Sequence, residues 1–283
     1  MLIHQGNDAS AFSGGESREK SAGKAVFLPL FARESSRKGQ GKRPGLSGSA
    51  LKLIAACSML LDHMGVLWIK KGVLENETPA WLFALWGEEG REGFERAYLV
   101  LRCAGRLAFP IFAFFLAEGF CHSRNRKRYG LRLLAAALLT EGIFDWAIYG
   151  KWFYPACQNV LFTLLIGFVM LWGIERSWQN EWARAFWIVA GGGGALLLRS
   201  DYGVLGVMLI LLLYCLKDSP CRLAAGAVMM AAAAAGGSVM GYFVVLAFPL
   251  LALYNGERGR RPGKYFFYLF YPGHLLLLRL MRG

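Results

Sequence analysis

From residue 50 onward the chain alternates long apolar stretches with short polar ones. About nine stretches approach the roughly 20 residues that a helix needs to cross a bilayer. They are residues 50–69, 98–120, 129–149, 159–173, 183–198, 204–216, 222–235, 239–254 and 265–281. The stretches at 204–216 and 222–235 are short and read as tilted, re-entrant or broken helices. The pattern predicts an all-α, polytopic integral membrane protein with about nine transmembrane helices, eight to ten by this reading. Residues 1–48 lie ahead of the pattern and are rich in Ser, Gly, Lys and Arg. They read as a flexible basic cytoplasmic tail, and residues 49–283 as the membrane domain. The early apolar run at 25–32 is short and followed by more basic residues, unlike a signal peptide.

Composition narrows the class. Hydrophobic residues make up 55% of the chain and charged ones 18%, with mean hydropathy +0.37. That leaves too little polar surface to cover a water-soluble globule, so a soluble enzyme, a disordered chain and a collagen-like chain are all excluded. There are 32 Lys and Arg against 19 Asp and Glu, a formal charge of +13. In a soluble protein this excess would suggest nucleic acid. Here the basic residues fall in short runs between apolar stretches, so lipid is the expected surrounding and no nucleic-acid partner is expected.

Those runs set an orientation. With Arg33, Arg37, Lys38, Lys42 and Arg43 inside, the first span runs outward. The segment 70–95, expected as an outer loop, holds Lys70 and Lys71 but is dominated by Glu75, Glu77, Glu88, Glu89 and Glu92. The second span returns Arg124, Arg126, Lys127, Arg128 and Arg132 to the cytoplasm, and further alternation puts Lys217, Arg222, Arg258, Arg260, Arg261 and Lys264 there too. This predicts a multi-pass cell-membrane protein with a cytoplasmic N-terminus and an outward C-terminus. No internal repeat stands out, and the runs 191–194 (Gly) and 231–235 (Ala) read as close helix packing. The six cysteines mostly lie inside apolar stretches, at no spacing that suggests a metal or a disulfide framework.

Ionisable groups inside a bilayer cost roughly 3 kcal/mol each on insertion scales, so each asks for a reason. Asp62 and His63 are adjacent in the outer half of the first span. They point about 100° apart, so each needs a partner from another helix. A structural hydrogen-bond node explains them, but function explains the adjacent pair better. In the second span Arg102 and Arg106 share a face, and Pro110 frees backbone groups and predicts a kink beside a cavity. Arg106 is the expected ion-pair partner of Asp62. Glu118 and His122 lie four apart near the cytoplasmic end. The run Arg124, Arg126, Lys127, Arg128 and Arg132 reads equally as a topology signal and as a dock for a phosphate-rich cytoplasmic cofactor.

Further along, Glu141 and Asp145 stand one turn apart, where they are expected to interact. Asn159, with Gln158 before it and Thr163 after it, reads as a helix cap or as a donor to a substrate carbonyl. Arg199 and Asp201 suggest a salt-bridged outer turn. Pro272 permits an irregular backbone beside His274, a second intramembrane histidine, and the aromatics from Tyr265 to Tyr271 read as a packing and interfacial belt. No Walker loop, HExxH, GxSxG or paired CxxC is present. The most reactive-looking set is Asp62, His63, Arg106, Asn159 and His274.

Six segments then become familiar together: LKLIAACSMLLDHMG, GRLAFPIFAFFLAEGF, QNVLFTLLIG, DYGVLGVMLILLLY, YNGERG and YFFYLFYPGHLLLL, in that order over residues 51–278. The set resembles the TraX family, known from a conjugation protein that N-acetylates the first residue of the F-type pilin subunit. That family is similar to the wider group of transmembrane acyltransferases, which includes the acyltransferase-3 enzymes and the lysosomal heparan-α-glucosaminide N-acetyltransferase. Those proteins carry an acyl group from cytoplasmic acyl-CoA to an acceptor on the other side, using an intramembrane His. The resemblance implies His63 as that His, with Asp62 and Arg106 beside it and acetyl-CoA as donor. The acceptor would be a peptide N-terminus, a sugar or a lipid headgroup.

On this reading the basic rim with His122 would hold the nucleotide end of the donor. His63 would act as base, Arg106 or Asn159 would stabilise the oxyanion, and Asp62 would fix the imidazole tautomer. Glu118, Glu141, Asp145, Asp201, Tyr271 and His274 complete the candidate set. The competing reading is a proton-coupled transporter with a relay through Asp62, His63, Glu141 and Asp145. A third is an assembly factor whose polar sites are structural.

Overall fold

A computed structural model describes residues 44–75, 80–235, 237, 239–260, 263 and 265–282. Among these, the regular elements are all helical, and the two β-bridges, Leu46 with Tyr254 and Gln158 with Ser200, are isolated pairs. The α-helices are α1 (Gly48–Met64), α2 (Ala80–Gly105), α3 (Ala108–His122), α4 (Arg126–Tyr149), α5 (Val160–Arg176), α6 (Glu181–Leu197), α7 (Gly203–Cys215), α8 (Arg222–Ala234), α9 (Val239–Tyr242), α10 (Ala247–Ala252) and α11 (Phe266–Arg282). A π-helical segment, Gly65–Leu74, prolongs α1, and a 3-10 turn, Phe243–Leu246, joins α9 to α10.

The helix ends have local causes. Ser47, Asn125, Asn159 and Asn180 each accept a backbone N–H from the first turn that follows them. Gly150 ends α4 in the left-handed region, at φ +69°, where a side chain would be strained. Within the helices, α3 packs against α1, α5, α7 and α10 and buries ten of its fifteen residues, so it forms the axis of the core. Helices α5 and α6 approach closely because Gly173 lies under Trp187 and Gly191 under Met170.

Several expectations change. Of the segment 70–95, expected as a loop, residues 76–79 lie outside the described residues and the rest is mostly helical: the π-helical turns continue to Leu74, and α2 carries the acidic stretch from Glu89 onward. Pairs one turn apart, Arg91 with Glu95 at 3.3 Å and Glu92 with Arg96 at 2.7 Å, suit that polar stretch to a helix. The stretch 98–120 breaks at residues 105–107, ahead of Pro110. Pro110 then falls in the first turn of α3, where its missing N–H leaves no helical bond unmade. The stretch 239–254 is divided between α9, the 3-10 turn and α10. At Pro272 the expected irregularity is absent, and α11 runs through it unbroken.

Residues 1–43 of the expected tail lie outside the described residues. From Leu46 the chain is tied to the segment after α10: Leu46 N–H donates to Leu253 O at 2.7 Å and Asn255 N–H to Leu46 O at 3.0 Å. The first N–H groups of α1, those of Gly48 and Ser49, donate to the Glu257 and Arg258 carbonyls.

Two helical segments among the described residues are long and apolar enough to cross a membrane, Gly48–Leu74 and Glu89–His122. Apolar side chains also face outward in rows. Leu131, Leu134 and Leu138 share one face of α4, and Leu269, Leu276 and Leu280 one face of α11, all exposed. Rows of this kind suit hydrocarbon better than water.

Candidate functional site

The site gathers where α1 ends, where α2 breaks into α3, and where α5 and α7 begin. His63 occupies the last turn of α1 and is 8% exposed. Its Nδ1 lies 2.8 Å from Nε2 of His274, at 6% exposure in the middle of α11. His274 Nδ1 lies 2.7 Å from the Phe270 carbonyl, which can only accept. The direction of the chain of bonds follows. With both rings neutral, His274 carries its proton on Nδ1 and accepts at Nε2, so His63 donates from Nδ1 and keeps its lone pair on Nε2. Tyr271 stacks at 5.7 Å from both rings, and Phe270 at 4.8 Å from His274. The tautomer is therefore held by His274 together with the Met59 carbonyl, which also bonds the His63 ring, and not by Asp62.

Asp62 faces elsewhere, as adjacent helical residues must. Its carboxylate accepts from Arg102 Nη1 at 2.5 Å, so Arg102, not Arg106, is its direct partner. The break at 105–107 separates the two arginines that an unbroken helix would have placed on one face. Arg106 instead bonds the Tyr202 side chain and stays within electrostatic reach of Asp62 and Asp201. Both arginines keep a buried Nε with no partner among the described residues. Gly105 makes the Asp62 contact possible, because a Cβ there would overlap the carboxylate. Gly105→Ala is expected to displace Asp62 and to destabilise the fold by about 1–3 kcal/mol, the usual range for overpacking. A thermal melt of the purified variant checks this.

Asn159 belongs to the frame. It is fully buried and caps α5, accepting from Leu161 N–H at 2.9 Å. Its Nδ2 donates to the Ala137 carbonyl at 3.0 Å and to Glu141 Oε2 at 2.5 Å, and its own N–H also donates to Glu141 Oε2. Both amide protons are spent, so none remains for a substrate carbonyl. Glu141 and Asp145 stay within electrostatic reach of each other, as expected, but their hydrogen bonds go elsewhere, Glu141 to Asn159 and Asp145 Oδ2 to Tyr154 N–H at 2.7 Å. Each of these acids retains one buried oxygen with no partner among the described residues. Gln158 N–H donates to the Arg199 carbonyl at 3.1 Å, which pins the start of α5 to the 199–202 turn. That turn is closed by backbone bonds, with Arg199 at φ +49°, and no Arg199–Asp201 ion pair is found among the described residues.

The candidates expected on the cytoplasmic side lie at the other end of α3. Arg126 is bound to Glu175 at 2.7 Å and lies over Phe120, and Arg132 lies over Tyr129. Arg124, Lys127 and Arg128 are exposed. His122 Nδ1 bonds the Glu118 carbonyl at 2.8 Å, while the Glu118 carboxylate is taken by Arg222 at 2.5 Å.

Sequence reasoning named His63, His274, Asp62 and Tyr271 but not how they join. It missed Tyr202 as the partner of Arg106 and Arg222 as the partner of Glu118. In both cases the signal was a charge in an apolar setting, which says that a partner exists and not which one.

The TraX protein family model matches residues 47–282, nearly the whole described chain. The chain belongs to the TraX family. It is also 31% identical over 254 residues to a probable fimbrial assembly protein, FimC of serogroup H1, from Dichelobacter nodosus. That alignment covers 82% of this chain and 94% of the relative. No solved structure matches the chain. The matched region starts at the capping residue of α1 and ends at the last residue of α11. The region matched to TraX thus spans the helical assembly from α1 to α11, His63 and His274 included.

Proposed function

We propose that this TraX-family protein is a membrane-embedded acyltransferase. It takes an acetyl group from cytoplasmic acetyl-CoA and delivers it to an acceptor amine or hydroxyl that enters from the outer side. The chain passes the bilayer about nine times, with its N-terminus in the cytoplasm. The outward apolar rows on α4 and α11 favour a lipid surrounding. Membership of TraX and the likeness to a fimbrial assembly protein favour a pilin-type peptide N-terminus as acceptor over a sugar or a lipid headgroup.

The observation that carries the reading is the buried His63–His274 pair, whose polarity leaves one basic nitrogen on His63. As the acceptor amine attacks the thioester carbonyl carbon, His63 Nε2 takes its proton. The charge gained is shared along the Nδ1–H···Nε2 bond to His274 and its carbonyl. Arg106 is the donor best suited to the oxyanion, since its own partner is the Tyr202 side chain, whereas Arg102 is held by the Asp62 carboxylate and Asn159 by Glu141. When the C–S bond breaks, the thiolate leaves and recovers the proton from His63 as free CoA thiol.

The test is transfer in proteoliposomes, from acetyl-CoA labelled in its acetyl group to a synthetic peptide with a free N-terminus. The expected result is labelled peptide and free CoA thiol in equal amounts. A folded protein that neither binds acetyl-CoA nor labels the peptide overturns the reading.

A further inference from the structure

At the end of α1 opposite His63, two cations bracket a cluster of aromatic rings. Lys52 Nζ lies 4.7 Å above Phe115, and the Arg222 guanidinium lies 4.4 Å from Phe114. Phe114 and Phe115 meet edge-on at 5.3 Å, and Tyr254 closes against both, at 5.8 Å and 5.4 Å. Arg258 stands as the electrostatic neighbour of Lys52. Its segment is held over the start of α1 by the bonds from Gly48 and Ser49.

The charges here do not balance. Among the described residues, the carboxylate bonded to any of these three cations is Glu118, on Arg222. Lys52 is half-buried and has no ion-pair partner there. Arg222 is 7% exposed, and its Nε and Nη2 are buried with no hydrogen-bond partner among the described residues. A half-buried cation without an anion, as Lys52 is, and unsatisfied buried N–H groups, as on Arg222, are costly, and a bound anion would relieve both. Aromatic faces beside the cations suit a ligand with a planar ring as well as negative charge.

We propose that Lys52, Arg222 and Arg258, around Phe114, Phe115 and Tyr254, hold the phosphate-bearing nucleotide end of the acyl donor. This rests on the acyltransferase reading and sets aside the exposed run from Arg124 to Arg132 as the main anchor. The helix gives a second reason. Lys52 and His63 are eleven residues apart on α1, about three turns, so they share one face and are separated by about 16 Å of rise. A donor charged at one end and reactive at the other, joined by a thin flexible arm, fits that spacing. Ala56 and Met59 lie on the same face between the two, a small residue and a pliable one.

The test is equilibrium binding of acetyl-CoA and of ADP to the full chain in detergent. The variants are Lys52→Met, which keeps the apolar stem, Arg258→Ala, Lys52→Arg as the charge-keeping control, and Arg124→Ala with Arg128→Ala as the comparison. Each is first checked by gel filtration and thermal melt. Expected is at least tenfold weaker binding of both ligands by Lys52→Met and Arg258→Ala, recovery by Lys52→Arg, and little change from the Arg124/Arg128 pair. If acetyl-CoA binds equally to wild type and Lys52→Met, the anchor proposed here is wrong and the acyltransferase reading stands. If the folded wild type binds no acetyl-CoA, the acyltransferase reading falls and takes this proposal with it. Displacement of a fluorescent nucleotide analogue by phosphatidylglycerol but not by ADP would assign the site to a lipid headgroup and overturn the proposal.

Discussion

His63→Gln is expected to lower acetyl transfer by about a hundredfold to ten-thousandfold, the range in which a positioned base contributes. Its melting temperature should stay close to that of wild type. Gln keeps a polar side chain of similar reach beside His274, so loss of the ring costs chemistry more than packing. His274→Gln separates two roles. His274 is placed to fix the tautomer of His63 and not to touch the acceptor. Its loss should therefore reduce kcat, shift the pH profile of kcat and leave acetyl-CoA binding intact. Transfer by His63→Gln at the wild-type rate would remove His63 from the chemistry.

The opposite pattern is expected for Asn159→Ala. This change removes an N-cap, about 0.5–2 kcal/mol, and takes from the half-buried Glu141 carboxylate one of its two bonds, leaving the one from the backbone N–H of residue 159. Leaving the partner groups of the lost amide unsatisfied adds about 1–3 kcal/mol. Expression and melting temperature should fall sharply, and any protein that survives in folded form should retain transfer and acetyl-CoA affinity. Asn159→Asp keeps the cap but sets a second carboxylate 2.5 Å from Glu141 Oε2, so it should be no milder. A stable, folded and inactive Asn159→Ala would instead return Asn159 to the chemistry.

How far the sequence reveals this molecule depends on the range of the interactions. Helices α4 to α8 and α11 lie close to the predicted stretches, because apolar length is a local signal, joined at α4 to α6 by an Asn cap. The acidic segment after Leu74 reads as a loop because charge dominates it, yet pairs such as Glu92 with Arg96 suit it to a helix. Partner choice is the harder matter. Arg102 and Arg106 are equivalent candidates for Asp62 on a continuous helix, and only the break at 105–107 separates them. The same holds for Asn159, whose reading as cap or donor depends on Glu141, a residue eighteen positions earlier on another helix. His63 and His274 are each conspicuous alone, but nothing local says that they touch.

That contact also sets an order of events during synthesis. His63 lies 211 residues before His274, and Arg282 Nη2 reaches back over the same span to the Lys71 carbonyl at 3.0 Å. At about 5–20 residues per second, the first helix waits roughly 10–40 s for the last one to emerge. Through that interval the imidazole of His63 has the Met59 carbonyl of its own helix but lacks His274, while α1, α2 and α3 are free to close around Asp62 and Arg102. A chain halted before Tyr265 is therefore expected to hold the charged half of the centre and none of its relay. On the proposed function, an unfinished chain is therefore expected to be inert toward acetyl-CoA until α11 arrives.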